Sequence, residues 1–280
     1  MLNEINFGAL KRKILLKSSL FIINMDTKNI TNQFFDINKF PPHEGMLVFP
    51  ISMSRISNES QNAKKYFDHI KYINPSKANK TNKNAKFGVI FIYGDFLYLY
   101  SDEKASILKR RYTNQINLHK NNFQNLLKNH PHLIQNSFSY KVWNQFYLDC
   151  ERFNFYFSGL KKIYKTDKLF QKYIKEDFKS LDNNESKFNE NQIDFFVEEH
   201  LLFYLISKGQ MKLENDFINN HEKWILIAYP GKPLKAHIYL HQLNPFKLLN
   251  NKNKYENSWY DLKEKKLYDF SKIELETYNP

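Results

Sequence analysis

Glycine is scarce in this chain, with seven in 280 residues. None of the seven forms the spacing G-x-G-x-x-G or a P-loop, the two turns that let a backbone approach a phosphate group closely. The sequence therefore lacks the usual turns for dinucleotides and nucleoside triphosphates. We expect no nucleotide cofactor, and the sequence indicates no cofactor of another kind.

Cysteine is nearly absent as well. The single cysteine, Cys150, excludes an internal disulfide framework and a cysteine-based metal cluster. His237 and His241 would share one face of a helix or a strand, but no third metal ligand is suggested near them. Histidines without a metal are the commoner case, and the sequence predicts no metal site.

Long hydrophobic runs are also missing, since none approaches the ~20 residues that span a bilayer. Residues 1–28 combine basic and apolar residues and superficially resemble a signal peptide. However, Glu4 precedes the basic cluster, Lys17 interrupts the apolar run, and no small-residue cleavage site follows. We expect a cytoplasmic protein with no membrane partner.

Basic residues are plentiful by contrast. The net charge is +13 and the pI is about 9.4, which favours a polyanionic partner such as RNA or DNA. Part of the lysine excess accords with a composition rich in Lys, Asn, Ile, Phe and Tyr, which is typical of an AT-rich genome. The position of the charge is therefore more informative than its amount.

One predicted helix, residues 102–129, concentrates this charge. It has no acidic residue after Glu103, whereas a solvated helix normally interleaves both signs. A helix face of one sign is typical of phosphate contact, and the alternative is a merely soluble face. The basic residues are Lys104, Lys109, Arg110, Arg111, Lys120 and Lys128.

A serine stands directly after the first buried strand that the sequence predicts. The apolar run Met46–Ile51 follows a turn at Gly45 and ends at Ser52. Ligands of open α/β sheets bind outside the carboxyl ends of such strands, so the Ser52 hydroxyl is a candidate nucleophile. The alternative is a turn former or the N-cap of the next helix.

The remaining pattern predicts an α/β fold. Residues 58–73 have helical periodicity and 87–93 form a second buried strand, which together imply a right-handed parallel unit. No break in composition demands two domains, so we predict a single domain over 1–280 with its core in roughly 40–245. Further predicted elements are a strand around 19–24, two aromatic-rich helices within 139–181, a helix over 191–208, a strand over 224–229 and a fourth strand over 236–243.

Taken together, these elements resemble the tRNA-dependent cyclodipeptide synthases over roughly residues 40–245. In that family a serine follows the first core strand, a second strand leads into a basic helix, and a later helix carries Y-x-x-x-E. A final strand ends at a tyrosine. Arg55, three residues after Ser52, and the pair Tyr229-Pro230 both match the branch with Tyr-Pro. The resemblance implies a Rossmann-like parallel sheet flanked by helices, similar to the catalytic domains of class I tyrosyl- and tryptophanyl-tRNA synthetases.

The resemblance also implies an activity. A monomeric enzyme would use two aminoacyl-tRNAs and form a cyclic dipeptide, a diketopiperazine, by a ping-pong mechanism through an aminoacyl ester on Ser52. Tyr229 would relay protons, Glu199 would bind an ammonium group, and Pro50 and Arg55 would contact the substrate. The aminoacyl side chain would be held by Val48, Phe49 and residues 89–93, and the basic helix would hold tRNA.

No His-x-Gly-His or Lys-Met-Ser-Lys-Ser signature is present, which disfavours ATP-dependent activation of an amino acid. An aminoacyl-tRNA ester arrives already activated, so the absence of these signatures fits the resemblance. A non-catalytic or altered tRNA- or RNA-binding protein of the same fold is the alternative function.

The chain departs from the family at the Y-x-x-x-E signature. Aligning on the carboxylate gives Phe195 and Glu199, which loses the tyrosine hydroxyl; aligning on the tyrosine gives Tyr204 and Lys208, which reverses the charge. We prefer the first, because a carboxylate attracts an α-ammonium group and a lysine repels it. An idle exposed carboxylate is the other reading of Glu199, and Tyr204 could replace the lost hydroxyl.

Overall fold

The computed structural model describes ten stretches of the chain, and all of them belong to one compact unit, Gln33–Pro280. They are residues 45–57, 61–73, 87–95, 105–130, 138–143, 145, 150–181, 188–213, 224–250 and 253–280. The strand predicted around 19–24 lies outside them, and the single domain over 1–280 stays a prediction. No helix within these stretches is long and apolar enough to cross a membrane.

Strands and helices alternate along most of the described chain. The strands are β1 (Gly45–Ile51), β2 (Phe87–Tyr93), β3 (Phe138–Val142), β4 (Trp224–Tyr229), β5 (Ser258–Asp261) and β6 (Lys266–Asp269). The helices are α1 (Ala63–Ile73), α2 (Ala105–Lys128), α3 (Phe153–Thr166), α4 (Lys168–Leu181), α5 (Glu190–Ser207) and α6 (Lys235–Leu243).

The six described strands form one sheet in the order β3-β2-β1-β4-β5-β6. Neighbouring strands from β3 to β5 pair in parallel, and β6 pairs antiparallel to β5. This is the order of the doubly wound, Rossmann-like sheet, so the predicted fold class is confirmed, with an antiparallel edge strand added. Its topological switch point lies between β1 and β4, where such sheets bind ligands.

The central strands read as continuous apolar runs because both faces of the sheet are covered. On one face Met46 and Val48 of β1 pack in a core with α3, α4, α5 and α6. On the other face Leu47, Phe49 and Ile51 pack in a second core with α1 and α2. The first face, with four helices, contributes most of the walls of the cavity described below.

Two predicted elements are wrong in type. Residues 139–142, expected at the start of an aromatic helix, belong to β3, whose side chains are only half buried and so carry a weak strand signal. Residues 236–243, expected as a strand, form most of α6. The apolar alternation Ala236, Ile238, Leu240 resembles a strand, but the buried set also includes His237 and His241, which gives a helical spacing.

A buried carboxylate fixes the start of α6. Asp177, fully buried on α4, accepts hydrogen bonds from the backbone N–H of Lys235 at 2.9 Å and of Ala236 at 2.7 Å. The first N–H groups of a helix have no partner within the helix, and a carboxylate there also meets the positive end of the helix dipole. Asp177 thereby ties α4 to α6 and sets the position of the loop between Tyr229 and α6.

Replacing this carboxylate should cost stability. We expect Asp177→Ala to lower the free energy of unfolding by about 2 kcal/mol, because the first two N–H groups of α6, one of them buried, would lose their acceptor. Glu176→Ala is the matched control. Glu176 pairs with Lys235 at 2.8 Å but is about one-third exposed, so its removal should cost less than about 1 kcal/mol. Urea unfolding of both variants measures the difference, and equal losses of stability would contradict the role given to Asp177.

Candidate active site

A cavity of about 520 Å³ opens at the carboxyl ends of β1 and β4, at the switch point of the sheet. The parallel pairing of these strands stops at Val48 and Ile227, although β1 continues to pair with β2 as far as Ile51. Pro50 lies in the part of β1 that has left β4, and a proline has no N–H to donate to a neighbouring strand. The two strands therefore part before Pro50, and the cavity occupies the space between their ends.

The cavity brings together predicted residues from distant parts of the sequence. It is lined by Pro50, Ser52, Arg55, Phe195, Glu199 and Tyr229, together with other residues of β2, α4, α6 and β5. These six include all three predicted catalytic residues; of the residues predicted to contact the substrate, Tyr204, Val48 and Phe49 are not in the lining. Their convergence arises from the sheet topology, because Ser52 and Tyr229 follow or end the two strands at the switch point.

The backbone of Ser52 is held on both sides. Its N–H donates to Oε1 of the fully buried Gln61 at 2.7 Å, and its carbonyl accepts from the N–H of Arg55 at 3.0 Å. The preceding carbonyl, of Ile51, accepts from Gly94 N–H at 2.9 Å. Ser52 thus begins a turn, which agrees with the alternative of a turn former. Its half-buried side chain also lines the cavity.

A second hydroxyl lies beside the first. Ser52 Oγ and Ser54 Oγ are 2.9 Å apart, and either can be the donor. Just before this turn in the chain, the carbonyl of Pro50 accepts from the Tyr66 hydroxyl of α1 at 2.9 Å. Gln61 and Tyr66 thus position the serine turn, and no sequence motif singled them out, because their roles depend on the backbone groups of Ser52 and Pro50 that they contact.

Adjacent glutamates of α5 have different surroundings. Glu198 is buried, and its Oε1 accepts from the indole N–H of Trp143 at 2.9 Å. Glu199 lines the cavity, where burial raises its pKa to about 7, while the Arg55 guanidinium lowers it and the Asp177 carboxylate raises it further. Glu199 can therefore exchange a proton near neutral pH. Glu198 instead fixes the position of Trp143 by its hydrogen bond.

The two alternatives at the signature positions lie in different places. Phe195 and Glu199, one turn apart on α5, both line the cavity. Tyr204 is fully buried and donates its hydroxyl to Oδ1 of Asn244. Lys208 is 1% exposed and pairs with Glu256 at 3.4 Å. Among the described residues, neither Tyr204 nor Lys208 lines the cavity, so this geometry favours the alignment on Glu199.

Tyr229 is held at the end of β4 by its backbone and its ring. Its carbonyl accepts from the N–H groups of Gly231 and Leu262, both at 2.9 Å. Its ring centroid is 5.7 Å from that of Trp259, whose indole N–H donates to the Gly231 carbonyl at 2.8 Å. Trp259 of β5, which no sequence pattern marked as functional, thus supports both Tyr229 and the turn after it.

The walls of the cavity differ from the expected ones. Val48 and Phe49, predicted to contact the aminoacyl side chain, are fully buried in the two cores and do not line the cavity; Ile92 of the predicted 89–93 segment does. The aromatic lining comes instead mostly from α4, α5 and β5, with Trp143 after β3 and Tyr229 at the end of β4. The members from α4, α5 and β5 are Phe178, Phe195, Phe196, Phe203 and Trp259.

The predicted tRNA-binding residues that the structure describes lie on α2, and none of them lines the cavity. Lys109, Arg110 and Arg111 are exposed, and α2 packs its apolar side on the core beneath it. Lys120 is half buried, with its ammonium 5.7 Å from the Tyr93 ring and 5.3 Å from the Tyr140 ring. Lys104 lies outside the described residues.

Buried histidines gather at the cavity wall and behind it. His237 and His241 of α6 are buried, with ring centroids 4.6 Å apart. Within the part of the chain that the structure describes, no group of three or more His, Cys, Asp or Glu residues has a geometry that could hold a metal ion.

Comparison with known proteins finds likenesses of structure only. No family model matches the chain. No curated protein sequence matches it either. A cyclodipeptide synthase structure from Fluoribacter dumoffii has a TM-score of 0.47 and 15% identity, and the match covers 72% of this chain and 84% of that one.

Two further solved structures are similar to a comparable extent. One is a cyclodipeptide synthase from Candidatus Glomeribacter gigasporarum bound to Phe-tRNAPhe, with a TM-score of 0.44, 16% identity and coverage of 77% and 88% of the two chains. The other is a Mycobacterium tuberculosis protein described as a cyclodipeptide synthetase related to type I tRNA synthetases, with a TM-score of 0.44, 12% identity and coverage of 67% and 74%. What the chain shares with these cyclodipeptide synthases is a likeness of fold.

Proposed function

We propose that the chain is a tRNA-dependent cyclodipeptide synthase of the Tyr-Pro branch. The observation that carries the proposal is the convergence of Ser52, Glu199 and Tyr229 on one cavity at the switch point of the sheet. Arg55, a marker of the branch, lines the same cavity. A nucleophile, a carboxylate and a phenol around one space are the groups needed to transfer and cyclise aminoacyl units.

The first step is acyl transfer to Ser52. Its hydroxyl attacks the ester carbonyl of the first aminoacyl-tRNA, a new ester forms at Oγ, and the bond to the ribose oxygen breaks. The serine proton ends on that ribose oxygen, so the tRNA leaves deacylated, with a free ribose hydroxyl. An ester exchanged for an ester needs no ATP, and the Ser54 hydroxyl at 2.9 Å is placed to orient Oγ during the attack.

The second step joins two amino acids. The α-amine of the Ser52-bound aminoacyl group attacks the ester of a second aminoacyl-tRNA and forms a peptide bond, and the ribose oxygen of the second tRNA leaves with a proton from the attacking amine. The amine must first lose its proton, and Glu199, with a pKa of about 7, can hold the ammonium group and accept that proton. A carboxylate at this place thus both binds and activates the nucleophile.

Cyclisation completes the cycle. The free α-amine of the dipeptidyl ester attacks the ester carbonyl at Ser52, and the serine oxygen leaves with a proton. Tyr229, fixed beside Trp259 at the end of β4, is the group we assign to move this proton between the amine and the serine oxygen. The product is a cyclic dipeptide, and Ser52 returns to its starting form.

The basic residues of α2 would hold the tRNA. Phosphate contacts by Lys109, Arg110 and Arg111 position a nucleic acid without reading its sequence, which suits an enzyme that accepts differently charged tRNAs. The phenylalanine at position 195, which lacks the signature hydroxyl, favours the alternative of a non-catalytic tRNA- or RNA-binding protein. An assay of covalent chemistry separates the two functions.

A covalent adduct on Ser52 is the direct test. Incubating the protein with tRNAs charged with radiolabelled amino acids should place label on the protein. Ser52→Ala should abolish the adduct and lower product formation by at least about 10³-fold, as expected for removal of a nucleophile. Ser54→Ala is the comparison, because it removes the hydroxyl that orients Oγ and keeps the nucleophile, so it should slow the formation of the adduct without abolishing it. The enzyme proposal fails if none of the twenty charged tRNAs labels the protein at low salt, or if Ser52→Ala labels as well as the wild type.

Glu199 should impose a pH dependence on the reaction. With a pKa of about 7, its carboxylate form increases as the pH rises through 7, so the rate of product formation should rise over the same range. The isosteric Glu199→Gln should lower the rate and remove this limb of the profile. A wild-type profile that is flat between pH 6 and pH 8 would contradict the role given to Glu199.

Stability gives an independent readout of the same group. Burial raises the folded-state pKa of Glu199 from 4.5 to about 7, so the folded state keeps a proton that the unfolded state loses between these values. The stability that this group contributes is therefore present below pH 4.5 and is lost as the pH rises through 7. We expect the wild type to lose up to about 3 kcal/mol relative to Glu199→Gln over this range, measured by urea unfolding at several pH values. Asp177, whose pKa burial also raises, is present in both proteins, so the difference between them reports Glu199 together with its coupling to Asp177.

Removing the charge of α2 should weaken tRNA binding. We expect the triple substitution of Lys109, Arg110 and Arg111 by Ala to lower tRNA affinity. The slope of log affinity against log salt should fall by about one for each phosphate that the variant no longer neutralises. A triple substitution of exposed lysines on α3 and α4 changes the net charge equally. These control positions are Lys162, Lys165 and Lys168. Equal effects of both triple variants on the salt slope would show that total charge, rather than α2, holds the tRNA.

A further inference from the structure

Two buried histidines form part of the cavity wall and have no role in the reaction described above. His200 of α5 is 1% exposed, His237 of α6 is 2% exposed, and both line the cavity. Among the described residues, none of their four ring nitrogens has a hydrogen-bond partner. Leaving a buried polar group unpaired costs about 1–3 kcal/mol, so such groups beside a cavity point to a ligand that pairs with them.

The histidines are connected to the proposed catalytic tyrosine by a row of ring contacts. Trp259 lies between Tyr229 and His237, at centroid distances of 5.7 Å and 5.4 Å. His237 is 5.9 Å from His200, which is 6.0 Å from Phe196. The two imidazoles therefore interrupt an otherwise aromatic wall that starts at the reaction centre, where the side chain of a bound aminoacyl group would lie.

Both imidazoles are neutral in this environment. Burial lowers the pKa of His200 to about 3, and burial together with His241 and His200 holds the pKa of His237 well below its ordinary value. A neutral imidazole has one N–H donor and one acceptor nitrogen. The wall thus offers uncharged donors and acceptors among aromatic rings, which suits an uncharged hydrogen-bonding group.

We propose that His200 and His237 select an aminoacyl group with an uncharged hydrogen-bonding side chain, and that tyrosyl is the preferred member; this inference rests on the function proposed above. The phenol ring would pack against Phe178, Phe196 and Phe203, in the manner of aromatic pairs in protein cores. Its hydroxyl, which both donates and accepts, would pair with the two imidazoles. A phenylalanyl group would fill nearly the same space and leave the imidazoles unpaired.

The size of the discrimination between tyrosyl and phenylalanyl follows from this difference in hydrogen bonding to the imidazoles. A site built to hydrogen-bond a substrate hydroxyl can reject the analogue that lacks it by about 10⁴–10⁵-fold, because its buried polar groups are then left unpaired. Neutral imidazoles are weaker partners than charged groups, and we expect tyrosyl to be favoured over phenylalanyl by at least about 100-fold in product formation.

The test compares products from all twenty charged tRNAs and then from tyrosyl- and phenylalanyl-tRNA alone. Wild-type protein should form cyclic dipeptides that contain tyrosine, identified by mass spectrometry. His200→Phe and His237→Phe, which keep a ring and remove its nitrogens, should lower the preference for tyrosyl over phenylalanyl to below about 10-fold. His241→Phe is the control: it alters a neighbouring buried histidine that is absent from the cavity lining, and it should keep the preference.

The outcomes separate this inference from the proposed function. Cyclic dipeptides without tyrosine, or an unchanged preference in folded His200→Phe and His237→Phe variants, would overturn the role of the two histidines and leave the synthase activity standing. The wild-type products decide the inference even where a variant does not fold. No cyclic dipeptide from any charged tRNA would overturn both proposals.

Discussion

The early end of the pairing between β1 and β4 is the constraint on which the site depends. These strands are neighbours at the centre of the sheet, yet their pairing stops at Val48 while β1 continues to Ile51 beside β2. A proline at position 50 suits a strand that has parted from one neighbour, since it has no N–H to leave unpaired. The opening that results places the Ser52 turn opposite the end of β4, and helices on one face then wall it in.

Burial does most of the chemical tuning around this opening. At the carboxylates and imidazoles here burial outweighs the charged neighbours, so the low dielectric of the interior favours their neutral forms. Glu199 consequently titrates near neutrality, while His200 remains uncharged at any ordinary pH. Arg55 is the cation that moderates the effect at Glu199. Near neutral pH, Glu199 thus changes its protonation state, whereas His200 stays neutral.

The sequence was informative about elements whose signal is local and strong. The buried strands at 45–51, 87–93 and 224–229 were predicted nearly as found, because covered faces make unbroken apolar runs. The strand Phe138–Val142 was not, since an edge strand with half-buried side chains has no such run. β5 and β6, four residues each, were too short to give a pattern.

The site residues likewise fall into those that the sequence identifies and those that it does not. Ser52 and Tyr229 were found because each stands at the boundary of a recognisable strand. Gln61, His200 and Trp259 were not, since what matters about them is the neighbour that they meet, and that neighbour is distant in the chain. A sequence pattern records the position of a residue in its own element, whereas the cavity is defined by contacts between elements.

The position of β4 beside β1 has a consequence for the order of folding. β5 and β6 form a hairpin whose pairing closes only a short loop, whereas the pairing of Gly45 with Trp224 closes a loop that contains most of the chain. Contacts between residues so far apart in sequence form slowly, because the entropy of closing the loop is given up before the contacts compensate for it. The two halves of the reaction centre would therefore meet only late in folding, so that a nascent chain has no competent site until β4 has been added to the sheet.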